Sequence, residues 1–150
     1  MKPFKVPVYR IQLLKTADFT INRPSLDSEI DLCRFLAEYL EGVDREHLVA
    51  VAVDARFRVI GVNTVAIGSL RHVSYGMADL FKMAILLNAS GLTVGNNHPS
   101  GDPSPTQDDL DQFRKFREAG RLLGITVHDS LVIGEKKGYS IFKNCMIDFS

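Results

Sequence analysis

The sequence is poor in cysteine and has no excess of charge of either sign. Its two cysteines, Cys33 and Cys145, lack CxxC spacing and are too few for a disulfide framework. This excludes the class of small disulfide-stabilised secreted domains and favours a reducing compartment. Lys and Arg total 18, as do Asp and Glu, so the formal net charge is zero. Dominant non-specific binding to nucleic acids depends on a basic surface, and this balance argues against it.

The chain also lacks any apolar run of the roughly 20 residues that a membrane-spanning helix needs. Residues 1–7, Met-Lys-Pro-Phe-Lys-Val-Pro, do not form the continuous apolar stretch of a signal peptide. We therefore expect a cytoplasmic protein that does not associate with membranes. There is no internal repeat or low-complexity tract, and 150 residues with a 45% hydrophobic share can form one domain with a buried core.

The most informative stretch is residues 96–109, Asn-Asn-His-Pro-Ser-Gly-Asp-Pro-Ser-Pro-Thr-Gln-Asp-Asp. Before it, residues 92–94 are apolar and β-branched, which predicts a buried strand. Near its end, Thr106 and Asp109 form a Thr-x-x-Asp box, which predicts the N-terminus of a helix. The stretch is therefore predicted to be a loop that joins the end of a buried strand to the start of a helix.

Polar side chains should converge at this loop. Asn96 and His98 are two residues apart at the end of an extended segment, so their side chains leave on the same face. Asp109 lies in the first helical turn, where free N–H groups and the helix dipole keep its carboxylate ionised. An imidazole and an anionic carboxylate that meet at a strand-to-helix loop predict a metal site. A metal hydrolase uses two or three such ligands and leaves an open position for water.

The stretch resembles the motif of the JAB/MPN (JAMM) zinc metallopeptidases, which is His-x-His, ten residues, then Asp, with Ser or Thr eight residues after the second His. It is similar to the bacterial RadC branch, His-Asn-His-Pro-Ser-Gly-Asp-Pro-x-Pro-Ser-x-x-Asp. The matching residues are Asn97, His98, Pro99, Ser100, Gly101, Asp102, Pro103, Pro105 and Asp109. Thr106 stands where the family has Ser, and Asn96 stands where it has the first His. The resemblance extends over roughly residues 44–143.

The pattern of predicted elements agrees with the fold that this resemblance implies. Strands alternate with helices, and hairpins lie at both ends, which predicts a three-layer α/β domain with a mixed β-sheet flanked by helices. The resemblance implies a JAB/MPN-like (cytidine-deaminase-like) domain over residues 44–150. Residues 1–43 are predicted to be a strand (residues 6–14) and a helix from a Ser25 cap to Gly42, packed on that domain in an unknown role. We expect this segment to be too short for the full helix-hairpin-helix DNA-binding region that RadC proteins usually carry.

The resemblance also implies roles for individual residues. Asn96, His98 and Asp109 would be the zinc ligands, with Asn96 as an altered third ligand. Glu46 would be the general base, since the family places a Glu just before the central strand. Thr106 would help to hold the oxyanion.

Each of these residues also has an ordinary structural explanation. Glu46 would be a charged residue at a strand entrance, Thr106 a helix cap, and Asp109 a helix-start anion. Ser100 could contribute to the same loop, although turn chemistry explains it equally well. Asp129 matches a family Asp, whose following His is Ser130 here, and it is placed with Ser100 among the site-loop candidates.

Asn96 leaves three alternatives open. Its amide oxygen is a neutral, weak ligand that suits zinc poorly beside an imidazole. The site is therefore a metal-free remnant, a site that binds zinc weakly with another partner, or a site whose natural histidine has been replaced by engineering.

Two functions of different classes follow from this. The first is a RadC-like JAB-domain zinc metallopeptidase or isopeptidase that acts on a protein or peptide, with impaired or lost metal binding. The second is a non-catalytic binding module associated with DNA repair or mobile-element proteins, or with DNA. The sequence makes no prediction of oligomeric state.

We predict that binding to DNA is weak. Besides the zero net charge, one predicted helix mixes four basic residues with four acidic ones, which are Arg114, Lys115, Arg117, Arg121, Asp108, Asp109, Asp111 and Glu118. Titration of a labelled duplex at physiological salt should give a dissociation constant of about 1 μM or weaker, as non-specific binders do. Nanomolar affinity with a steep salt dependence would contradict this.

Overall fold

The computed structural model describes residues 1–22, 26–68 and 75–150. In those ranges the chain forms three helices and six strands. They are α1 (Glu29–Tyr39), β1 (His47–Val53), β2 (Val59–Ile67), α2 (Met77–Leu86), β3 (Gly91–Asn97), α3 (Gln107–Leu123), β4 (Thr126–Ile133), β5 (Lys137–Ser140) and β6 (Cys145–Asp148). None of the helices in these ranges has the length and apolar character needed to cross a membrane.

The strands form one mixed sheet in the order β2-β1-β3-β4-β5-β6. Only the pair β3–β4 is parallel among the five described pairs, and α3 connects these two strands. A parallel pair needs such a crossover, because the chain must return to the same end of the sheet. The loop after β3 and the start of α3 therefore lie together at one end of the sheet, as the sequence predicted.

Helices cover both faces of the sheet and create two apolar cores. On one face, β1, β3 and β4 pack against α2 and α3 through Leu80, Phe81, Phe113 and Phe116. On the other face, alternate residues of the same strands pack against α1 through Cys33, Phe35 and Leu36. β1 and β3 are buried on both faces, which explains why their sequences are nearly continuous apolar runs. The predicted three-layer α/β fold with a mixed sheet is thus confirmed.

Helix α3 begins where its sequence signal predicted. The hydroxyl of Thr106 accepts a hydrogen bond from the backbone N–H of Asp109, and the Asp109 carboxylate accepts one from the N–H of Thr106. This is the reciprocal capping box that the Thr-x-x-Asp spacing predicts. Gly124 ends the helix in the left-handed conformation, with φ of 71°.

The structure differs from the sequence interpretation at three points: the strand at residues 6–14, the cap of α1 and the strand β6. Residues 6–14 were predicted as a strand, yet residues 1–20 have no regular secondary structure and are exposed. A strand is stable only when paired, and no strand of the described sheet pairs with this segment. Ser28, not Ser25, caps α1, and Ser25 itself lies outside the described residues. The C-terminal strand β6 was not predicted, because its four residues are mostly exposed.

Candidate metal centre

The strand pairing brings Glu46 and His98 together. β1 and β3 are antiparallel, and Leu48 pairs with Asn96. Glu46 is two residues before Leu48, and His98 is two residues after Asn96. The continuation of this antiparallel register therefore places Glu46 opposite His98. The start of α3 then adds Asp109 to the group. One carboxylate oxygen of each acidic residue and one ring nitrogen of His98 lie within 4.8 Å of one another.

His98 is held in a fixed orientation by two partners. Its Nδ1 lies 2.9 Å from the backbone oxygen of Asp102, and its Nε2 lies 3.2 Å from Oδ2 of Asp109. A carbonyl oxygen can only accept, so Nδ1 carries the proton and donates it there. Nε2 therefore faces Asp109: it donates to that carboxylate when the ring is protonated, and its lone pair is directed toward the cluster when the ring is neutral. Metal-binding histidines are commonly oriented in this way by a carbonyl acceptor.

Asp109 is fixed as firmly as His98. Its Oδ2 accepts a hydrogen bond of 2.8 Å from the backbone N–H of Thr106, besides facing His98. Burial alone would raise the pKa of this carboxyl, but the bonds from His98 and Thr106 outweigh burial and lower the pKa. The bond to Asp109 is the largest influence on His98 and raises the pKa of its imidazole, against the effect of burial. The carboxylate of Asp109 is therefore present as an anion at neutral pH.

Asn96 is buried and contacts Glu46. Its amide nitrogen donates a hydrogen bond of 3.2 Å to Oε1 of Glu46. Its side chain lies on the same sheet face as Leu92 and Val94, the face covered by α2 and α3. Asn96 thus lies beside the cluster, as its sequence position predicted. In this structure, however, its amide nitrogen is bonded to the predicted general base.

Asn97 is a residue that the sequence interpretation did not single out beyond its motif match. Its side-chain oxygen accepts a hydrogen bond of 2.7 Å from the backbone N–H of His47, and its amide nitrogen donates one of 2.9 Å to the backbone oxygen of Arg45. These two backbone groups flank Glu46 directly. Asn97 therefore fixes the short segment that carries Glu46 to the end of β3. In the sequence, the only signal for this role was the position of Asn97 between the two candidate ligands, Asn96 and His98.

The turn after β3 is built from close backbone contacts. Ser100 is exposed, and its hydroxyl accepts a hydrogen bond of 3.3 Å from the N–H of Asp102. Gly101 has φ of 85°, which favours glycine. A Cβ atom added at Gly134 would lie 2.3 Å from the backbone oxygen of Gly101, so only glycine fits there without a shift. Turn geometry thus explains Ser100, and its predicted contribution to the site stays a prediction.

The structure places Asp129 outside this cluster. Asp129 pairs with Thr93 near the middle of the β3–β4 ladder, whereas the cluster lies beyond the end of β3. It is buried and accepts hydrogen bonds from the N–H groups of Ser130 and Phe142 and from the hydroxyl of Ser140. Burial raises the pKa of its carboxyl, and these bonds oppose that effect. The carboxyl links β4 to the turn after β5, which is a structural role.

The donor set at the cluster fits a divalent metal such as zinc. Zinc in hydrolases is held by three protein ligands from imidazole and carboxylate groups, at about 2.0–2.1 Å in a tetrahedral arrangement. That geometry separates two ligand atoms by about 3.3 Å. Nε2 of His98 and Oδ2 of Asp109, which are 3.2 Å apart, match it. Glu46 adds a second carboxylate beside these two ligands.

Comparison with known proteins relates this arrangement to one family. A family model described as the RadC-like JAB domain matches residues 26–146. A UPF0758 protein of Desulfitobacterium hafniense is 34% identical over 119 residues, which cover 79% of this chain and 52% of that protein. A UPF0758 protein of Roseiflexus castenholzii is 39% identical over 119 residues, which cover 79% and 51%. The chain thus spans about half the length of these curated relatives.

We predict that Asp129 matters for stability and not for metal binding. Asp129→Ala leaves three donors without an acceptor, two of them backbone N–H groups, and should lower the free energy of unfolding by about 3 kcal/mol. Asp129→Asn keeps an oxygen for the two N–H groups and should lower it by much less. Chemical denaturation measures both. A loss of zinc affinity in a folded Asp129→Asn protein would show that Asp129 belongs to the metal site.

We predict that Asn97 stabilises the entrance to β1. Asn97→Asp keeps an acceptor for the N–H of His47 but removes the donor to the backbone oxygen of Arg45. The free energy of unfolding should fall by roughly 1–2 kcal/mol, because the backbone oxygen of Arg45 loses its donor and faces a carboxylate oxygen instead. Asn63→Asp, on an exposed position of β2, is the matched control and should cost little. Equal losses in the two variants would argue against this role.

Proposed function

Because the chain belongs to the family of RadC-like JAB domains, we propose that this cluster is the centre of a JAMM-type zinc-dependent hydrolase whose metal binding is impaired by Asn96. Its substrate would be an amide bond of a protein or peptide. The observation that carries the proposal is the convergence of Glu46, His98 and Asp109 at the end of β3. Each comes from a different element, so neither helix propensity nor core packing explains why they meet.

Two of the three residues suit the role of metal ligand. His98 and Asp109 are oriented by Asp102 and Thr106, respectively, and their facing atoms have the separation that zinc requires. Bound zinc would supply Lewis-acid activation of a water molecule, whose pKa it lowers to about 7. With the ligands already positioned, binding a metal would require little rearrangement of the protein.

Glu46 suits the role of general base. Its carboxylate lies in the cluster and is within reach of a nucleophilic water held there. It would take the proton of this water and later give it to the leaving amine. Thr106 can act as the oxyanion donor, since its Oγ1 accepts from the N–H of Asp109 and keeps its own hydrogen free to donate.

One observation favours the second function, a non-catalytic binding module. Without a metal, the polar groups of the cluster already satisfy one another: Asn96 donates to Glu46, and His98 pairs with Asp109. Within the described residues, no buried side-chain nitrogen or oxygen lacks a hydrogen-bond partner. The fold therefore does not need a metal, and a metal-free cleft that binds a protein or DNA is consistent with the same geometry.

Metal content distinguishes the two functions. We predict that the purified, dialysed protein holds zinc at well below one equivalent, because the neutral amide of Asn96 competes poorly with water as a ligand. Asn96→His adds an imidazole on the same strand face as His98 and should raise zinc to about one equivalent. Asn63→His adds a histidine at an exposed position of β2 and should leave zinc unchanged. Elemental analysis of the three proteins gives the result.

Activity then tests the chemistry. Zinc-loaded Asn96→His protein should hydrolyse a peptide, and Glu46→Gln in that background should keep its zinc but lose a factor of about 10²–10⁴ in rate. Stoichiometric zinc in the unaltered protein would mean that Asn96 or another group is a working ligand. If Asn96→His gains no zinc, the His98–Asp109 pair is not a metal site and the binding-module function takes its place.

A further inference from the structure

The N-terminal arm, residues 4–14, exposes far more apolar surface than a folded domain normally leaves in water. Phe4, Val8 and Tyr9 are 90%, 94% and 82% exposed, and Val6, Ile11 and Leu14 are also largely exposed. Burial of each such side chain stabilises a protein by about 1.5–3 kcal/mol. In the described part of the molecule, residues 1–14 form no hydrogen bond. Exposed apolar surface of this extent is typical of an interaction site.

The surface that could bind such a segment is the edge of the sheet at β2. Among the strands of the described residues, β2 lies at the end of the sheet and pairs with β1 alone. A groove of about 790 Å³ runs beside it, lined by Val59, Gly61 and Val62 of β2, by Met83 and Leu86 of α2 and by Leu87, which follows α2. An unpaired strand edge beside an apolar groove is the structure that extended peptides join by adding a strand.

The arm has the length and pattern of such a strand. Tyr9, Ile11 and Leu13 alternate with Arg10 and Gln12, which would place the first three side chains on one face. Eleven extended residues span about 36 Å, and the nine residues of β2 span about 30 Å. Pro7 lacks an N–H, and this is tolerated in a strand that pairs on only one side.

Only the base of the arm, Leu13 and Leu14, reaches the groove of its own molecule. Residues 13–19 already line one wall of that groove, and residues 4–12 continue from there into solvent. To enter it, the arm would have to reverse direction. Residues 8–17, Val-Tyr-Arg-Ile-Gln-Leu-Leu-Lys-Thr-Ala, contain none of the Gly, Pro, Asn or Asp residues that make tight reversals. The same groove in a second copy can be entered without a turn.

Charge attracts the arm to the body of the domain, both in its own copy and in a second one. Residues 1–17 carry four basic residues, Lys2, Lys5, Arg10 and Lys15, and no acidic residue. Because the whole chain has a formal net charge of zero, residues 18–150 carry a net charge of −4. The arm of one copy is therefore attracted to the body of another, which favours their encounter.

We propose that residues 4–14 of one copy add as an extra strand to the free edge of β2 in a second copy, and that the protein is a dimer with exchanged arms. The exchange is reciprocal, as two-fold dimers require. A stable interface buries roughly 800 Å² on each partner. Tyr9 of each arm alone contributes about 150–250 Å², and Ile11 and Leu13, on the same strand face, add to this on both partners.

Sedimentation equilibrium of the full chain between about 1 and 500 μM tests the proposal. The unaltered protein should be a dimer over most of this range. Ile11→Glu in the arm and Ile60→Glu in the groove should each raise the dissociation constant at least tenfold. Gln12→Glu changes the charge of the arm equally but lies on the opposite strand face, and Leu122→Glu removes an exposed apolar residue of α3 outside the groove. Both controls should leave the dimer unchanged.

Hydrogen exchange locates the arm and separates the remaining outcomes. Amides of residues 6–14 should be protected in the dimer and lose this protection on dilution. Protection that does not depend on concentration would mean that the arm folds onto its own copy, and the proposal would be wrong. A monomer throughout the range, or a dimer unaffected by Ile11→Glu and Ile60→Glu, would also overturn it. So would a monomer that binds nucleic acid through Lys5 and Arg10 with nanomolar affinity.

Discussion

The pairing of β1 with β3 is the interaction on which the candidate site depends. Its register places Glu46 opposite His98, and a slip of one residue would turn every side chain of one strand to the other face. Burial of both strands on both faces makes such a slip costly, because apolar residues occupy both sides. The hydrogen bonds of Asn97 to Arg45 and His47 extend this register beyond the last ladder pair. The position of Glu46 is therefore fixed by backbone geometry more than by its own side-chain contacts.

The start of α3 combines a structural and a chemical role in one residue. Asp109 completes the capping box with Thr106, and the same Oδ2 atom faces His98. Caps of this kind stabilise a helix by about 1 kcal/mol. The capping bond keeps this carboxylate in one orientation whether or not a metal is bound. A ligand that is already ordered loses little conformational freedom when it binds, which is the advantage of building a site on helix and strand ends.

The sequence predicted the parts of the molecule that local signals determine. The Thr106–Asp109 box and the buried strand at residues 92–94 are examples. Each depends on neighbouring residues, so the sequence shows it directly. It did not predict Asn97 as the residue that fixes the Glu46 segment, since the contact joins residues 50 apart and depends on strand register. For the same reason it grouped Asp129 with the site loop, although the fold places that carboxyl at the turn after β5. The prediction of a strand at residues 6–14 was wrong, because alternation shows only that a segment is able to pair. It does not show whether another strand of the same molecule is in position to pair with it.

Asn96 affects both halves of the site. As a neutral amide it weakens the ligand set that would hold zinc, and through its nitrogen it also occupies Oε1 of Glu46. A carboxylate whose oxygen accepts from a buried amide is less free to take a proton from water, because that oxygen is already bonded. A histidine at position 96 that bound a metal would withdraw this donor as well as add a ligand. Metal occupancy and the availability of the base are thus coupled through one residue. Asn96 weakens metal binding and occupies the base, and both effects favour the metal-free arrangement, in which the polar groups of the cluster bond to one another.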